Sequence, residues 1–176
     1  MPEPVAIRQV APRDLGAYKD LRDAMLAAHP EAFTSDAATE RLRTPDSYRA
    51  RIGADQTGAV PASQFTLGAW QGTRLVGALG FERDLRVKVR HIALLIGMMV
   101  VADARRAGVG RALLEACIAG AREAGGIEML TLSVTAGNSA AQRLYERAGF
   151  SRYASLPRAI RVGPAYHAKE QWMLTL

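Results

Sequence analysis

The sequence is poor in cysteine, in aromatic side chains and in long apolar runs. Cys117 is the only cysteine among 176 residues, which excludes an intramolecular disulfide and a cysteine-based metal site. The longest apolar run, residues 92–102, is too short to span a bilayer. The first ten residues lack the basic start and apolar core of a signal peptide. These absences predict a soluble, cytoplasmic protein without a membrane or metal partner.

The charge is strongly basic, with a net value of +6 and a pI near 10.0. Such a balance suits nucleic acid, an acidic surface or a polyanionic small molecule. The arginines are spaced singly along the chain instead of forming tracts, and neither zinc-finger spacing nor an aromatic-rich RNA-binding motif accompanies them. This pattern disfavours nucleic acid as the partner.

The length and the 49% apolar content are those of one globular domain, here residues 1–176. Periodicity predicts, in the first third, a strand at 5–10, a helix at 14–28, a loop at 31–39, a short helix at 47–52 and an exposed connection at 53–63. A hairpin of strands 65–70 and 75–81 and a strand at 91–101 follow. The remaining chain is predicted to form a helix to 124, a strand at 127–134, a helix at 138–148, and strands from 150 and at 165–174. A helix joins the strands at 91–101 and 127–134, so these two should lie parallel. The prediction is a mixed α/β domain whose sheet is mostly antiparallel.

Residues 98–116 read MMVVADARRAGVGRALLEA, an apolar run followed by a basic turn and a helical pattern. Gly108 and Gly110 allow the backbone to approach a ligand closely. The first turn of a helix leaves N–H groups that a pyrophosphate can satisfy, and Arg106 and Arg111 can add charged hydrogen bonds. The stretch matches neither a nucleotide-triphosphate P-loop nor a dinucleotide-binding fingerprint. It predicts an anion-binding loop, and the alternative is a tight turn that binds nothing.

A second stretch, residues 138–150, reads NSAAQRLYERAGF. This stretch and the Arg-x-x-Gly-x-Gly spacing at 105–110, in this order and separated by a strand, resemble the GNAT superfamily of acetyl-CoA-dependent N-acetyltransferases. The resemblance covers the chain from about residue 65 onward. It implies a GNAT-like sheet whose two central parallel strands splay apart, with acetyl-CoA as co-substrate.

The resemblance also implies a set of cofactor contacts. The backbone of Met99 and Val101 would pair with the pantetheine arm, and Asn138, which is equally suited to cap its helix, would contact the cofactor near the splay. The implied cofactor-binding residues are Met99, Val100, Val101, Arg106, Ala107, Gly108, Val109, Gly110, Arg111, Asn138 and Tyr145. Tyr145 would also protonate the leaving thiolate, because a phenol with a pKa of about 10 carries its proton at pH 7.

No motif identifies the general base. An amine is mostly protonated at pH 7 and must lose a proton before it attacks a thioester. Glu82, which follows the second hairpin strand, and His91, which opens the next strand, are the candidates, and a relay through water is a third possibility. An amide near Met99 would hold the developing oxyanion.

The acceptor side points in two directions. Residues 29–33, HPEAF, resemble the acceptor-side segment of GNAT members that act on small amines, amino acids or protein N-termini. Three carboxylates in and after this segment would attract a cationic amine: Glu31, Asp36 and Glu40. Two arginines near the C-terminus, Arg158 and Arg161, would instead bind an acceptor carboxylate.

The sequence therefore predicts an acetyl-CoA-dependent N-acetyltransferase that acts on the primary amine of a small molecule by direct attack. Two enzymatic alternatives remain: a longer acyl-CoA as donor, or a protein or peptide N-terminus as acceptor. The third alternative is a catalytically silent domain that binds CoA as a sensor. A homodimer is possible by family resemblance alone.

Overall fold

The computed structural model describes residues 4–53 and 63–176, without the side chain of Arg106. The predicted connection at 53–63 therefore lies mostly outside the described residues. The strands are β1 (Val5–Gln9), β2 (Gln64–Gln71), β3 (Arg74–Arg83), β4 (Ile92–Val100), β5 (Met129–Thr135), β6 (Ser151–Val162) and β7 (Ala165–Thr175). The helices are α1 (Leu15–Ala28), α2 (Ala37–Arg41), α3 (Val109–Ala124) and α4 (Ser139–Arg147). None of the helices in these ranges is long and apolar enough to cross a membrane.

The strands form one seven-stranded sheet in the order β1-β2-β3-β4-β5-β7-β6. Every neighbouring pair is antiparallel except β4 and β5, which run parallel because α3 connects them. The parallel pairing joins only residues 92–94 to residues 129–131. The two strands then splay apart, and the predicted mixed sheet is confirmed.

A bulge in β4 lies just beyond this short parallel pairing. Gly97 has φ of +60°, a conformation that favours glycine. Ile96 is opposite Gly80 and Met99 is opposite Ala78, so two residues of β4 face one residue of β3. The bulge bends β4 where it leaves β5.

Helix α3 covers one face of the sheet over Gly77 of β3. A Cβ at Gly77 would lie 3.0 Å from Val109 Cγ1 and 3.1 Å from Leu113 Cδ1, so the missing side chain allows the helix to approach the strand. Leu113 and Cys117 are fully buried in this contact. Burying one leucine contributes roughly 2 kcal/mol, and several such residues fix α3, and with it the loop before α3, against the sheet.

Helix α1 and the segment after it cover the other face. The predicted loop at 31–39 contains the start of α2, and the predicted helix at 47–52 is a pair of 3₁₀ turns. A buried cluster explains this order: Arg22 Nε and the Tyr48 hydroxyl both donate to Glu40 Oε2, each at 2.7 Å. Periodicity does not show such a cluster, because its three members come from separate elements.

Candidate active site

A cleft of about 1390 Å³ opens where β4 and β5 separate. One wall is formed by the end of α1 and the 3₁₀ turn Pro30–Ala32, and the other by α3 and α4. The ends of the two splayed strands form its floor. The two motifs found in the sequence, the glycine turn and the start of α4, both line this cleft.

The N-terminus of α3 presents free backbone donors to the cleft. Gly108 has φ of +74° and begins the helix, and no side chain caps it. The first intrahelical bond runs from Ala112 N to Gly108 O at 3.0 Å. The N–H groups of Val109, Gly110 and Arg111 precede that bond and have no partner within the helix. This arrangement fits an anion such as a pyrophosphate.

The second glycine of the turn has a different physical reason. A Cβ at Gly110 would lie 3.3 Å from Leu144 Cδ2 and 3.7 Å from Val100 Cγ2. The first contact is tighter than side chains normally accept, so glycine lets the start of α3 lie close to α4 and β4. Glycine at 108 therefore permits the left-handed backbone conformation, and glycine at 110 permits the close packing of α3 on α4 and β4.

The pairing of β4 with β3 determines which residues at the end of β4 face the cleft. Val101 N already donates to Val76 O of β3 at 3.0 Å. Backbone groups alternate between the two edges of a strand, so Met99 also faces β3, and its side chain is buried. Val100 faces the opposite edge, and Met98 and Val100 line the cleft whereas Met99 and Val101 do not. Of the three predicted residues at the end of β4, Val100 lines the cleft, together with Met98, which was not predicted.

Four arginines line the cleft along α3 and α4: Arg111, Arg122, Arg143 and Arg147. Guanidinium groups bind phosphate oxygens through two parallel hydrogen bonds. Of these four, the sequence analysis identified only Arg111. The spacing of Arg143 and Arg147, four residues apart on a helix, is the signal that would have placed them on one face.

Asn138 caps α4 and also lines the cleft. Its Oδ1 accepts a hydrogen bond from Ala141 N at 3.2 Å. The side chain is exposed on the cleft side, between the end of β5 and the first turn of α4. The cap occupies one lone pair of this oxygen, which leaves the amide nitrogen for a ligand.

Tyr145 lies in the apolar core beside the cleft. Its ring is 6% exposed and packs edge-to-face on Phe150, with the ring centroids 5.9 Å apart. Burial raises the pKa of the phenol to about 12. The hydroxyl therefore keeps its proton throughout the physiological range, as a proton donor requires.

The two predicted bases do not reach the cleft. Glu82 is opposite Leu94 and accepts a hydrogen bond from Gln64 Nε2 at 2.8 Å. The His91 carbonyl accepts from Glu128 N at 2.8 Å, which places this residue at the closed end of the parallel pair. Seven residues of extended strand, roughly 23 Å, separate His91 from Met98. Neither Glu82 nor His91 is among the residues that line the cleft.

The predicted acceptor-side carboxylates separate in the structure. Glu40 belongs to the buried ion pair with Arg22, and Asp36 caps α2 by accepting from Thr39 N at 2.9 Å. Glu31 alone lines the cleft. Its carbonyl accepts from Thr135 Oγ1 at 2.7 Å, which ties the turn to the end of β5.

The two predicted carboxylate-binding arginines lie elsewhere. The guanidinium carbons of Arg158 and Arg161 lie 4.0 and 5.7 Å from the ring centroid of Tyr166 in the β6–β7 hairpin. Neither arginine lines the cleft. Arg105 does line the cleft, beside the end of α1. Its guanidinium contacts His29 Nε2 at 2.5 Å and donates to Val100 O at 3.1 Å.

Comparisons with known proteins agree with this geometry. The family model described as the acetyltransferase (GNAT) family matches residues 19–150. None of the curated proteins has a sequence that matches the chain. A GNAT-family acetyltransferase from Streptococcus pneumoniae superposes with a TM-score of 0.84 at 24% identity, covering 98% of this chain and 100% of that one.

Two further structures share the fold. The ribosomal-protein-S18-alanine N-acetyltransferase of Escherichia coli has a TM-score of 0.72 at 20% identity, over 98% of this chain and 94% of its own. The putative acetyltransferase yncA of Salmonella typhimurium, solved with its cofactor acetyl-CoA, has a TM-score of 0.75 at 19% identity, over 97% and 93%.

Proposed function

The chain belongs to the acetyltransferase (GNAT) family, and on that premise we propose that it acetylates the primary amine of a small molecule. As a family member it is an acetyl-CoA-dependent N-acetyltransferase. The observation that carries the proposal is the uncapped N-terminus of α3, which opens beside the free edge of β4 in one cleft.

The cleft fits the three chemical parts of the donor. The amides of Val109, Gly110 and Arg111 suit the pyrophosphate, and the arginines along α3 and α4 suit the remaining phosphate. The exposed edge at Val100 suits an extended pantetheine arm, which pairs with it as an added strand does. Met98 and Val100 replace Met99 and Val101 in this role.

When bound, acetyl-CoA supplies a thioester whose carbonyl carbon is attacked by the amine and whose C–S bond then breaks. Tyr145 is proposed to give its proton to the departing sulfur, and its raised pKa of about 12 keeps that proton in place beforehand. Asn138 would orient the substrate where the strands splay. The amide that holds the oxyanion is proposed near Met99, and Met98 is the adjacent residue that lines the cleft.

A small acceptor is favoured by the bounded acceptor end. Thr135 Oγ1 bonds to Glu31 O, and Lys169 Nζ bonds to Thr34 Oγ1 at 2.8 Å. The segment after α1 is thus joined to β5 and β7, which limits the room for a polypeptide. The second candidate is a protein N-terminus, favoured by the fold shared with the Escherichia coli enzyme that acts on ribosomal protein S18.

The cytoplasm is the proposed location, and residues 1–176 are proposed to act as one domain. The location is supported by Cys117, the single thiol, which is buried and unbridged. The domain is supported by the single sheet to which all seven described strands belong.

The test combines calorimetry with a thiol-release assay. We expect acetyl-CoA to bind at low micromolar concentration, and thiol to be released with at least one of spermidine, tyramine, lysine and glycinamide. Release only with a hexapeptide that starts with alanine would move the acceptor to protein N-termini. Binding without release in any case would identify a sensor, and no binding at tens of micromolar would refute the proposal.

A further inference from the structure

Arg105 connects two groups at the acceptor end of the cleft. Its Nε donates to the carbonyl of Val100 at 3.1 Å, and its NH2 contacts Nε2 of His29 at 2.5 Å. One planar guanidinium therefore lies between the edge of β4 and the imidazole at the end of α1 and contacts both. His29 is thereby held next to the strand edge on which the pantetheine arm is proposed to lie.

The contact with Arg105 determines the tautomer of His29. A guanidinium has only donors and does not lose its proton in proteins. Nε2 of His29 must therefore accept, which requires an unprotonated nitrogen with its lone pair toward Arg105. In a neutral imidazole the proton then lies on Nδ1.

The other nitrogen of the same ring faces a carboxylate. Nδ1 of His29 lies 4.0 Å from Oε1 of Glu31. At this distance the two groups share no hydrogen bond, and the carboxylate provides a nearby negative charge on the Nδ1 side of the ring. The backbone of Glu31 is joined to β5 by the hydrogen bond from Thr135, so the turn that carries both side chains lies at the end of β5.

We propose that His29 is the general base of the acetyl transfer. This inference rests on the proposed function, because it presumes an amine acceptor and a thioester donor. The acceptor reacts as the neutral amine, after its ammonium form has given one proton to solvent. As the N–C bond forms, the second proton that the nitrogen loses goes to Nε2 of His29. As the C–S bond breaks, the sulfur takes the phenol proton of Tyr145, and the proton held by His29 returns through solvent to the phenolate.

In the position described, Arg105 blocks both the pairing of a pantetheine amide with Val100 and the transfer of a proton to His29. The Val100 carbonyl that it occupies is the acceptor at which a pantetheine amide would pair, and the lone pair that it occupies is the one that His29 needs. Donor binding at Val100 would displace Arg105 Nε from this carbonyl, and the NH2 group must also leave Nε2 before His29 can accept a proton. Besides Glu31 and Arg105, His167 of β7 also lines the cleft, and Lys169 of β7 lies at the segment after α1 through its contact with Thr34.

The kinetic test compares H29Q with H91Q, since His91 lies at the closed end of the parallel pair. We expect H29Q to lower kcat about 100-fold at saturating acetyl-CoA, with the dissociation constant for CoA unchanged. The wild type should lose kcat as the pH falls, because a protonated imidazole accepts no proton, and H29Q should lack this acid limb. H91Q should match the wild type in rate and pH profile.

An NMR experiment determines the tautomer of His29 in the absence of an amine substrate. The chain has three histidines, so H29Q assigns the His29 ring signals in long-range ¹H–¹⁵N spectra of the wild type. At pH 8 we expect an unprotonated Nε2 and a protonated Nδ1, and a change of the Nε2 shift on addition of CoA. The opposite tautomer would overturn the inference.

The outcomes separate the two proposals. If the wild type binds and releases CoA and H29Q keeps its rate and acid limb, His29 is not the base and the proposed function stands. If H167Q loses the acid limb instead, the base is His167 and the inference is equally overturned. If the wild type does not bind acetyl-CoA, the proposed function fails and this inference fails with it.

Discussion

At the scale of single residues, the strongest chemical assignment concerns Tyr145. A buried phenol with a pKa of about 12 is a poor base and a stable proton carrier. The aromatic contact with Phe150 fixes the ring, so the hydroxyl has a defined position at the edge of the core. The proposed role of such a side chain in turnover depends on its one exchangeable proton.

The substitution Tyr145→Phe should therefore lower kcat by about 100-fold and leave the affinity for acetyl-CoA unchanged. The ring and its packing are retained, so the melting temperature should also stay the same. The measurement is thiol release under saturating acetyl-CoA, beside calorimetry. Tyr153→Phe is the matched control, because Tyr153 lies exposed on β6. An unchanged rate for the Tyr145 variant would remove its acid role.

A sequence motif predicts which residues lie at the cleft where their position follows from local backbone geometry, and it does not where distant strands decide it. Gly108, Gly110 and Asn138 line the cleft as expected, because their roles follow from local backbone geometry. Glu82 and His91 were selected for their chemistry at strand ends. The sequence does not show which end of β4 is open, and that end is set by how far β5 remains paired.

At the scale of elements, the turn between β4 and α3 determines where the donor can bind. The two glycines differ in cause, so their substitutions should differ in effect. Gly108 has positive φ and open space around its Cβ position, whereas Gly110 has ordinary dihedrals and a crowded one. An alanine at the first strains the backbone by roughly 1 kcal/mol, and an alanine at the second pushes α3 from α4.

Gly108→Ala and Gly110→Ala should each weaken acetyl-CoA binding by roughly tenfold, about 1.4 kcal/mol. The physical reason is displacement of the free amides at the start of α3. Calorimetry measures the affinity, and Gly16→Ala in α1 is the control, since nothing lies within 4 Å of its added Cβ. Unchanged affinity in both variants would mean that the loop is only a turn.

The elements themselves were largely predictable. Hairpin β2–β3, helix α1 and the parallel step through α3 follow from periodicity and short connections. The orientation of Met99 and Val101 toward β3, away from the cleft, has a tertiary cause. Which edge a backbone group faces depends on the pairing of β4 with β3, and the bulge at Gly97 changes that pairing by one residue.

At the scale of the whole molecule, a buried charged cluster joins α1 to the segment that follows it. Arg22 and Glu40 are less than 7% exposed, and Tyr48 is fully buried. Burial opposes ionisation of Glu40, yet hydrogen bonds from Tyr48 and Arg22 keep the pKa of this carboxyl below its usual value. Burial and the same hydrogen bond raise the pKa of Tyr48 to about 12. The cluster holds the acceptor-side segment on α1.

Glu40→Gln should destabilise the fold by about 3 kcal/mol, because it leaves the guanidinium of Arg22 buried without a counter-charge. A lowered folded-state pKa contributes stability above the unfolded value of about 4.3, and that stability is lost as the pH falls through the folded pKa. The variant should therefore show a weaker loss of stability below pH 4. Urea unfolding measures both effects.

The matched control for this prediction is Asp103→Asn, which removes one partner of an exposed pair with Arg74. Exposed pairs are screened by water, so its unfolding midpoint should equal that of the wild type. Equal midpoints for the Glu40 variant and the wild type would show that the cluster does not stabilise the fold.

The three-residue pairing of β4 with β5 affects how cooperatively the two parts of the sheet unfold. Helix α3 packs on β1 to β4, so the sheet consists of a four-stranded and a three-stranded plate joined by one short seam. A substrate that pairs with Val100 lengthens this seam from the side of the splay. The cooperativity with which the two plates unfold together then depends on the donor as well as on the chain.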